Sequence, residues 1–428
     1  MQHLREVLPA VKDRSQICVV TGRQRTGKTH FALEAVEGTE QVPTLYFHVA
    51  RKAEGLLCAE WADEAKRQVS LPVMQDVQDF RSLLKTLMAV SKDQPLNIII
   101  DEFQEFNTIN AAIWTELQSL WDRNRERSHV NIVFVGNDNR LTEAIFEGDH
   151  APLTGRTAAW EHLHPYTRDE LKEVVRRANA KATPADQLAM WAFTGGVQGY
   201  VHDFIEKGAL TADKMIDLLT AKDSPYIYEG KQLLVEDFGK EYTIYFSILT
   251  CIANGLISRA SIEEYIQKEI GGYLTRLETE FHLIEKQTPL FSRTGSKNVR
   301  YLMTDNFLRF WFRHIFAHSA LLELGKYDEL RSRVKADYRE FERTNLKNYV
   351  RDEMRDSGQW EQVGGWWDHR GDVLIDLIGY NTQTHKAEVV EVLHSDAVED
   401  MNALVQKGAV LNEHLAGYAI DYKLRKNI

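Results

Sequence analysis

The sequence predicts an α/β protein, and three observations lead there. Over the first 160 residues, short apolar runs alternate with amphipathic stretches. The runs (17–21, 44–49, 97–100 and 131–136) are β-branched or aromatic and end in polar or turn residues, as strands buried on both faces of a parallel sheet do. The stretches between them, such as 28–37 and 60–68, have helical spacing, and strand alternating with helix argues a doubly wound sheet. Third, a glycine-rich octapeptide, GRQRTGKT (22–29), joins the first run to the first helix.

Downstream the pattern changes. Between 166 and 219 only helical periodicity is legible, including 168–178 and 186–193, with Thr167 or Asp169 placed to cap the first of these. A second helical region, 226–286, leads through the turn-rich TGSKN (294–298) to a short strand at 299–303. That order suits a winged helix-turn-helix, and by periodicity alone another small α+β unit equally. The last hundred residues return to α/β character, with a helix at 338–357, a strand at 372–380, a hairpin turn NTQTHK (381–386) and a strand at 387–393. The changes of pattern divide the chain into 1–165, 166–225, 226–325 and 326–428, against about three domains from length alone.

With 43% hydrophobic and 27% charged residues, the chain has the composition of an ordinary globular protein. Cys18, Cys58 and Cys251 share no close spacing, which argues against a disulfide framework or a thiolate metal site and for a reducing compartment. The N-terminus lacks the apolar core of a signal peptide, and no apolar stretch approaches the length that spans a bilayer. A cytoplasmic location, away from membranes, is expected. The net charge of −11 argues against a protein that coats DNA but leaves room for one local basic patch.

The octapeptide matches GxxxxGK[ST], the P-loop or Walker A motif, at each fixed position, and it lies between a strand and a helix as the motif requires. Such a loop wraps a phosphate with inward backbone N–H groups, and the following helix N-terminus adds its dipole. The candidate nucleotide-binding residues are Gly22, Arg23, Gln24, Arg25, Thr26, Gly27, Lys28, Thr29 and His30. Lys28 is placed for the β- and γ-phosphates and Thr29 for Mg2+. In NIIIDEFQEF (97–106) an apolar strand ends in Asp101-Glu102, a Walker B arrangement at the strand end where α/β sheets bind ligands. Asp101 would hold Mg2+ through water, and Glu102 would orient or deprotonate an attacking water. ATP and Mg2+ are the expected ligands. VNIVFVGNDN (130–139) brings Asn137 to the next strand end, as a γ-phosphate or water contact or as a plain loop asparagine. Arg156 in PLTGR (152–156) is either an arginine finger, in cis or from a neighbouring subunit, or a surface arginine.

These segments resemble, in order, those of the prokaryotic AAA+-type ATPases that end in a nuclease-like DUF234 domain. The similar segments are the arginine-rich P-loop, LYFHVAR (45–51), PLTGR, FTGGVQGY (193–200), NVRYLMTDNFLRFWFRHIF (298–316) and GGWWDHRGDVLIDLIGY (364–380). The resemblance implies an AAA+-like core, a helical lid, a winged helix and a C-terminal α/β domain of restriction-endonuclease type. That last fold normally holds a divalent metal with an upstream Glu, a central Asp and a Glu-x-Lys. Glu342 and Asp376 match the first two. In Glu391-Val392-Leu393 leucine replaces the lysine, and leucine cannot polarise water. A degenerate domain is therefore expected rather than an active nuclease, with Lys386 as a speculative substitute. Gln198 stands where the family has proline, which alters the turn of the lid motif.

The remaining features have plain readings. Trp366-Trp367 reads as packing rather than a base-stacking platform, and FLRFWFRHIF (307–316) as interdomain core. His314 and His318 form an i, i+4 pair without a third ligand, and KLRKNI (423–428) reads as a solvated terminus. The candidate recognition helix, 272–281, offers Tyr273, Thr275 and one arginine, Arg276, beside Glu280, which is a poor phosphate anchor. The expected function is an ATP-hydrolysing AAA+/STAND-like switch or motor that couples nucleotide state to a DNA or protein partner, with self-assembly open. An ATP-gated metal-dependent nuclease and a non-catalytic, ATP-dependent assembly adaptor are the alternatives.

Overall fold

The computed structural model describes residues 2–39, 41–69, 77–137, 140–148 and 150–428, so the last two residues of VNIVFVGNDN lie outside it. The chain forms two compact units, one of Met1–Pro165 with Val197–Gly199, the other of Tyr166–Gly196 with Tyr200–Ile428.

The first unit is built on strands β1 (Gln16–Gly22), β2 (Thr44–His48), β3 (Leu96–Asp101), β4 (Val130–Asn137) and β5 (Thr157–Leu163). They are parallel, in the order β2-β3-β4-β1-β5. Helices α1 (Gln2–Val7) and α2 (Lys28–Glu37) cover one face with Leu4, Phe31, Ala32 and Ala35, against Cys18, Val20, Ile99 and Val133. The other face is covered by α3 (Glu54–Gln68), α4 (Phe80–Val90), α5 (Phe106–Ile109), α6 (Ile113–Asn124) and α7 (Arg140–Phe146). There Trp61, Phe80, Phe106, Trp114 and Phe146 pack on Ile17, Phe47, Ile98 and Phe134. Successive strand residues feed opposite cores, which is why the apolar runs lack alternation. β5 escaped the sequence reading because it is an edge strand in which Ala159 alone is buried.

The second unit opens with α8 (Arg168–Ala178) and α9 (Pro184–Thr194). Thr167 caps α8 through a capping box with Glu170. α10 (Gln198–Glu206) starts among residues of the first unit and continues into the second. α11 (Ala212–Thr220) follows, then α12 (Tyr226–Phe238), α13 (Tyr242–Ala253), α14 (Arg259–Ile266) and α15 (Gly271–Thr279). Next comes an antiparallel hairpin of β6 (Ile284–Gln287) and β7 (Arg300–Met303). β6 corrects the reading of 226–286 as wholly helical. After α16 (Asn306–Phe310) and α17 (Ser319–Glu323), α18 (Tyr327–Asp356) runs for 30 residues, longer than the 338–357 expected.

A four-stranded sheet of β8 (Gln362–Trp367), β9 (Leu374–Asn381), β10 (Lys386–Val392) and β11 (Ala419–Arg425), in the order β11-β10-β9-β8, completes the unit with α19 (Met401–Gly408). Leu346, Tyr349 and Val350 of α18 pack with Leu377, Val390 and Val392 on one face, and Leu188 of α9 joins them. α9, from the stretch expected as a lid, thus shares a core with the C-terminal sheet. Leu404 of α19 packs with Ile375, Ile378, Ala387 and Val389 on the other face. The tail read as solvated is instead the end of β11, paired in parallel with β10 and tied by Lys423 to Glu388 at 2.5 Å. Among the described residues, no helix is long and apolar enough to cross a membrane. Cys18, Cys58 and Cys251 are buried free thiols.

Candidate nucleotide-binding site

The carboxyl ends of β1, β3 and β4 lie side by side, with Gly22 opposite Asn137 and Asp101 opposite Val135. The 22–29 loop leaves β1 there and turns directly into α2. Two glycines shape it. At Gly22 a Cβ would stand 2.4 Å from the Leu163 carbonyl oxygen, so a side chain is excluded by close approach of β5. Gly27 caps α2 with φ +79°, a left-handed conformation that other residues adopt at a cost. Inside the loop, the Thr26 hydroxyl donates to the Arg23 carbonyl at 2.7 Å.

The side chains expected to act together do meet. The Lys28 ammonium donates to the Arg23 carbonyl at 2.9 Å and to Asn137 Oδ1 at 3.1 Å. Burial holds its pKa below the usual lysine range, against the opposing pull of Glu102 and Asp101. The Thr29 hydroxyl donates to Asp101 Oδ2 at 2.7 Å, and Asp101 Oδ1 accepts from the Glu102 backbone N–H at 2.9 Å. Glu102 takes φ +54°, a left-handed backbone for a residue with a Cβ, and strain of that kind concentrates at functional sites. Its carboxylate accepts from the Gln104 side-chain amide. Of the other loop residues, Gln24 and His30 are exposed, and Arg23 and Arg25 are half-buried.

Two contributors were missed in the sequence. Tyr46 of β2 donates its phenol hydrogen to Asp101 Oδ2 at 2.7 Å, and burial followed by Asp101 raises its pKa. Gln104 is the second. Neither carried a distinctive signal: Tyr46 lies within the strand segment LYFH, and Gln104 among the acids and phenylalanines of EFQEF.

Other expectations resolve differently. Arg156 spends its guanidinium on Asp122, as a bidentate pair at 2.8 and 2.7 Å, and on the Thr154 carbonyl at 3.0 Å. It therefore joins α6 to the end of its own loop and makes none of these bonds to the 22–29 loop. Gln198 replaces the turn proline with a hydrogen bond from its amide to the His164 carbonyl, 2.7 Å. Beside it, the Gly199 N–H donates to the Arg25 carbonyl at 2.9 Å, joining the start of α10 to the phosphate loop.

The nuclease-like residues are not brought together. Asp376 is buried and bound by Lys347 at 3.0 Å, Arg343 at 3.1 Å and the Val392 N–H at 3.1 Å. Glu391 pairs with Lys407 of α19 at 2.8 Å, on the sheet face away from α18. Glu342 lies on α18, and burial raises its pKa. Lys386 begins β10, at the far end of the strand from Glu391. Among the described residues, no three His, Cys, Asp or Glu side chains gather to hold a metal. His314 is buried with its pKa pushed down to about 3 by that burial, and its carbonyl lies 2.9 Å from His318 Nδ1. The Trp367 indole N–H donates to Asn298 at 2.9 Å, in keeping with a packed rather than a stacking residue.

Asp376 is an ion-pair hub with a testable pH signature. Burial alone would raise its pKa, but Lys347, Arg343 and the Val392 N–H outweigh it and hold the carboxyl below the usual range. The folded pKa is thus depressed. Its stabilisation is present above about pH 4, near the unfolded aspartate value, and is lost as pH falls through the folded pKa. Asp376→Ala should destabilise the unit by about 3 kcal/mol at neutral pH, because two cations lose their shared partner. Urea unfolding at pH 7 and pH 3 checks this, with the difference from wild type shrinking at the lower pH.

Two stretches of the chain match known protein families. Residues 2–204 match a family described as an ATPase domain predominantly from Archaea, and residues 311–404 match DUF234, described as archaeal and bacterial proteins of unknown function. The chain carries an archaeal-type ATPase domain and a DUF234 domain. It is 27% identical over 394 residues to the uncharacterized protein MJECL04 of Methanocaldococcus jannaschii, covering 89% of this chain and 83% of that one. The Walker-type ATPase PABY2304 of Pyrococcus abyssi superposes with a TM-score of 0.51 at 16% identity, over 73% of this chain and 95% of its own. The ORC2 protein of Aeropyrum pernix, in ADPNP and ADP complexes, gives a TM-score of 0.49 at 15% identity, over 76% of this chain and 92% of its own. The ATPase-family match contains the phosphate loop, Asp101-Glu102 and Asn137, and the DUF234 match contains Asp376 and Glu391.

Proposed function

We propose that the ATPase domain binds ATP on the 22–29 loop and hydrolyses it, and that the remaining chain turns nucleotide state into contact with a partner. The observation that carries this reading is the meeting of Thr29, Asp101, Lys28 and Asn137 at adjacent parallel strand ends. Lys28 exchanges the Arg23 carbonyl for phosphate oxygens, a charge-assisted contact. The Thr29 hydroxyl and the Asp101 carboxylate, 2.7 Å apart, are hard oxygen donors of the kind Mg2+ takes. When bound there, the ion would neutralise charge on the β- and γ-phosphates. Glu102 receives the proton of the attacking water, and Asn137 orients that water or the γ-phosphate.

The bond from Gly199 to Arg25 gives the loop a route outward, since α10 continues from that point into the second unit. We divide the chain functionally at 1–165, 166–225, 226–325 and 326–428, with α13 to α15 and the β6–β7 hairpin as a winged-helix module facing a DNA or protein partner. Arg276 of that module is occupied by Glu280 at 2.8 Å and Glu241 at 3.1 Å, which favours a protein. With Asp376 and Glu391 held apart, the DUF234 domain serves as scaffold rather than nuclease. The buried free thiols suit a reducing cytoplasm.

Asn137→Ala should lower kcat about tenfold with a smaller change in KM, the pattern of a contact made mainly in the transition state. Steady-state kinetics with ATP and Mg2+ reads that ratio, and a change confined to KM would assign Asn137 to ground-state binding. Duplex DNA in the same assay decides the partner class. Stimulation would make the winged-helix module a nucleic-acid platform, and indifference points to protein.

A further inference from the structure

A cavity of about 350 Å³ lies wholly within the second unit, between the β6–β7 hairpin, α18 and the strands β8 and β9. Six cations line it: Arg300, Arg309, Arg313, Arg343, Lys347 and Arg351. In a chain of net charge −11, such convergence is a local reversal of sign. It follows from helix geometry. Arg343, Lys347 and Arg351 recur every four residues and so share one face of α18.

Some of this charge is answered. Arg313 pairs with Asp337, and Arg351 with Glu285 and Asp352. Arg343 and Lys347 share the single carboxylate of Asp376, with Glu340 at 3.9 Å from Arg343. Arg309 and Arg300 have no carboxylate within ion-pair distance among the described residues. Arg309 is 8% exposed, and its Nη1 and Nη2 donate three hydrogen bonds to neutral acceptors, Asn306, Asn345 and the Met303 carbonyl, out of the five N–H donors of a guanidinium. Burial, and then Arg351, push its pKa down to about 10. Arg300 lies over the Trp367 ring at 4.3 Å. Buried charges are ordinarily paired, so a walled space that leaves cationic surplus on one side calls for an anion. Ile252, Leu302 and Leu374 supply apolar wall, and the volume falls in the range of small-molecule pockets, larger than an inorganic anion fills.

We propose that this cavity binds a small phosphate monoester, with its phosphate among Arg300, Lys347 and Arg309 and its organic body against the apolar wall. The site is separate from the phosphate loop and does not depend on whether the first unit hydrolyses ATP.

The test is calorimetric titration of the full chain carrying Lys28→Ala, so that the phosphate loop does not contribute. The probes are ribose 5-phosphate, AMP, inorganic phosphate, ribose and a 5′-phosphorylated single-stranded oligonucleotide. The expected result is saturable binding of at least one monoester, tighter than inorganic phosphate, with none for ribose. Arg300→Gln and Lys347→Gln, each in the same background and checked by thermal melting, should each weaken it about tenfold or more. Arg259→Gln, outside the cavity, should leave it unchanged. The proposal is overturned if neither monoester saturates, if inorganic phosphate binds as tightly, if the Arg300 and Lys347 variants bind like their parent, or if the oligonucleotide binds more tightly than either ester.

Discussion

Glu102→Gln should leave ATP binding intact and reduce turnover by about 10²- to 10⁴-fold, the range expected when a general base is removed. The substitution is nearly isosteric. The Gln104 amide still finds an oxygen to bond, so the left-handed turn at position 102 has no reason to move. What disappears is the capacity to accept a proton from water. The Thr29–Asp101 pair and the Lys28 contacts do not involve the Glu102 side chain, so nucleotide affinity should stay near the wild-type value. Calorimetry with ATP and a phosphate-release assay on the same preparation separate the two effects. Turnover unchanged by the substitution would move the base to another residue.

Lys28→Ala should weaken ATP binding at least about hundredfold, since contacts to the β- and γ-phosphates worth about 3 kcal/mol are lost. The fold should survive. Lys28 is a desolvated ammonium held by a carbonyl and an amide oxygen, and without it the Arg23 carbonyl still accepts from Thr26 at 2.7 Å. An unchanged melting temperature together with lost binding would identify Lys28 as a ligand contact. A large drop in melting temperature would instead give it a structural role.

The phosphate loop was legible in the sequence because its chemistry is contiguous: one octapeptide carries the turn, the helix start, Lys28 and Thr29. Asp101-Glu102 was legible for a similar reason, an apolar strand ending in two acids. Tyr46 and Gln104 were not, because a tyrosine in a strand and a glutamine in a turn announce packing as readily as a site. The Asp376 cluster was hidden by distance along the chain, with Arg343 and Lys347 on α18 and the Val392 N–H on a neighbouring strand. The nuclease-like pattern of Glu342, Asp376 and Glu391 was visible as spacing, but spacing does not reveal that Asp376 and Glu391 serve opposite sheet faces. The first half of α18 carries only a narrow apolar stripe, Leu330, Val334, Tyr338 and Phe341, among charged residues, and its length became clear from its packing against α9 and α11.

The measurement that bears most directly on the central claim is steady-state phosphate release by the intact wild-type protein with ATP and Mg2+. The arrangement of Lys28, Thr29, Asp101, Glu102 and Asn137 predicts many turnovers per chain, continuing for as long as ATP is supplied. Bound ATP that is never released as phosphate beyond one turnover would contradict it, and would make the chain an assembly adaptor that uses ATP without hydrolysing it.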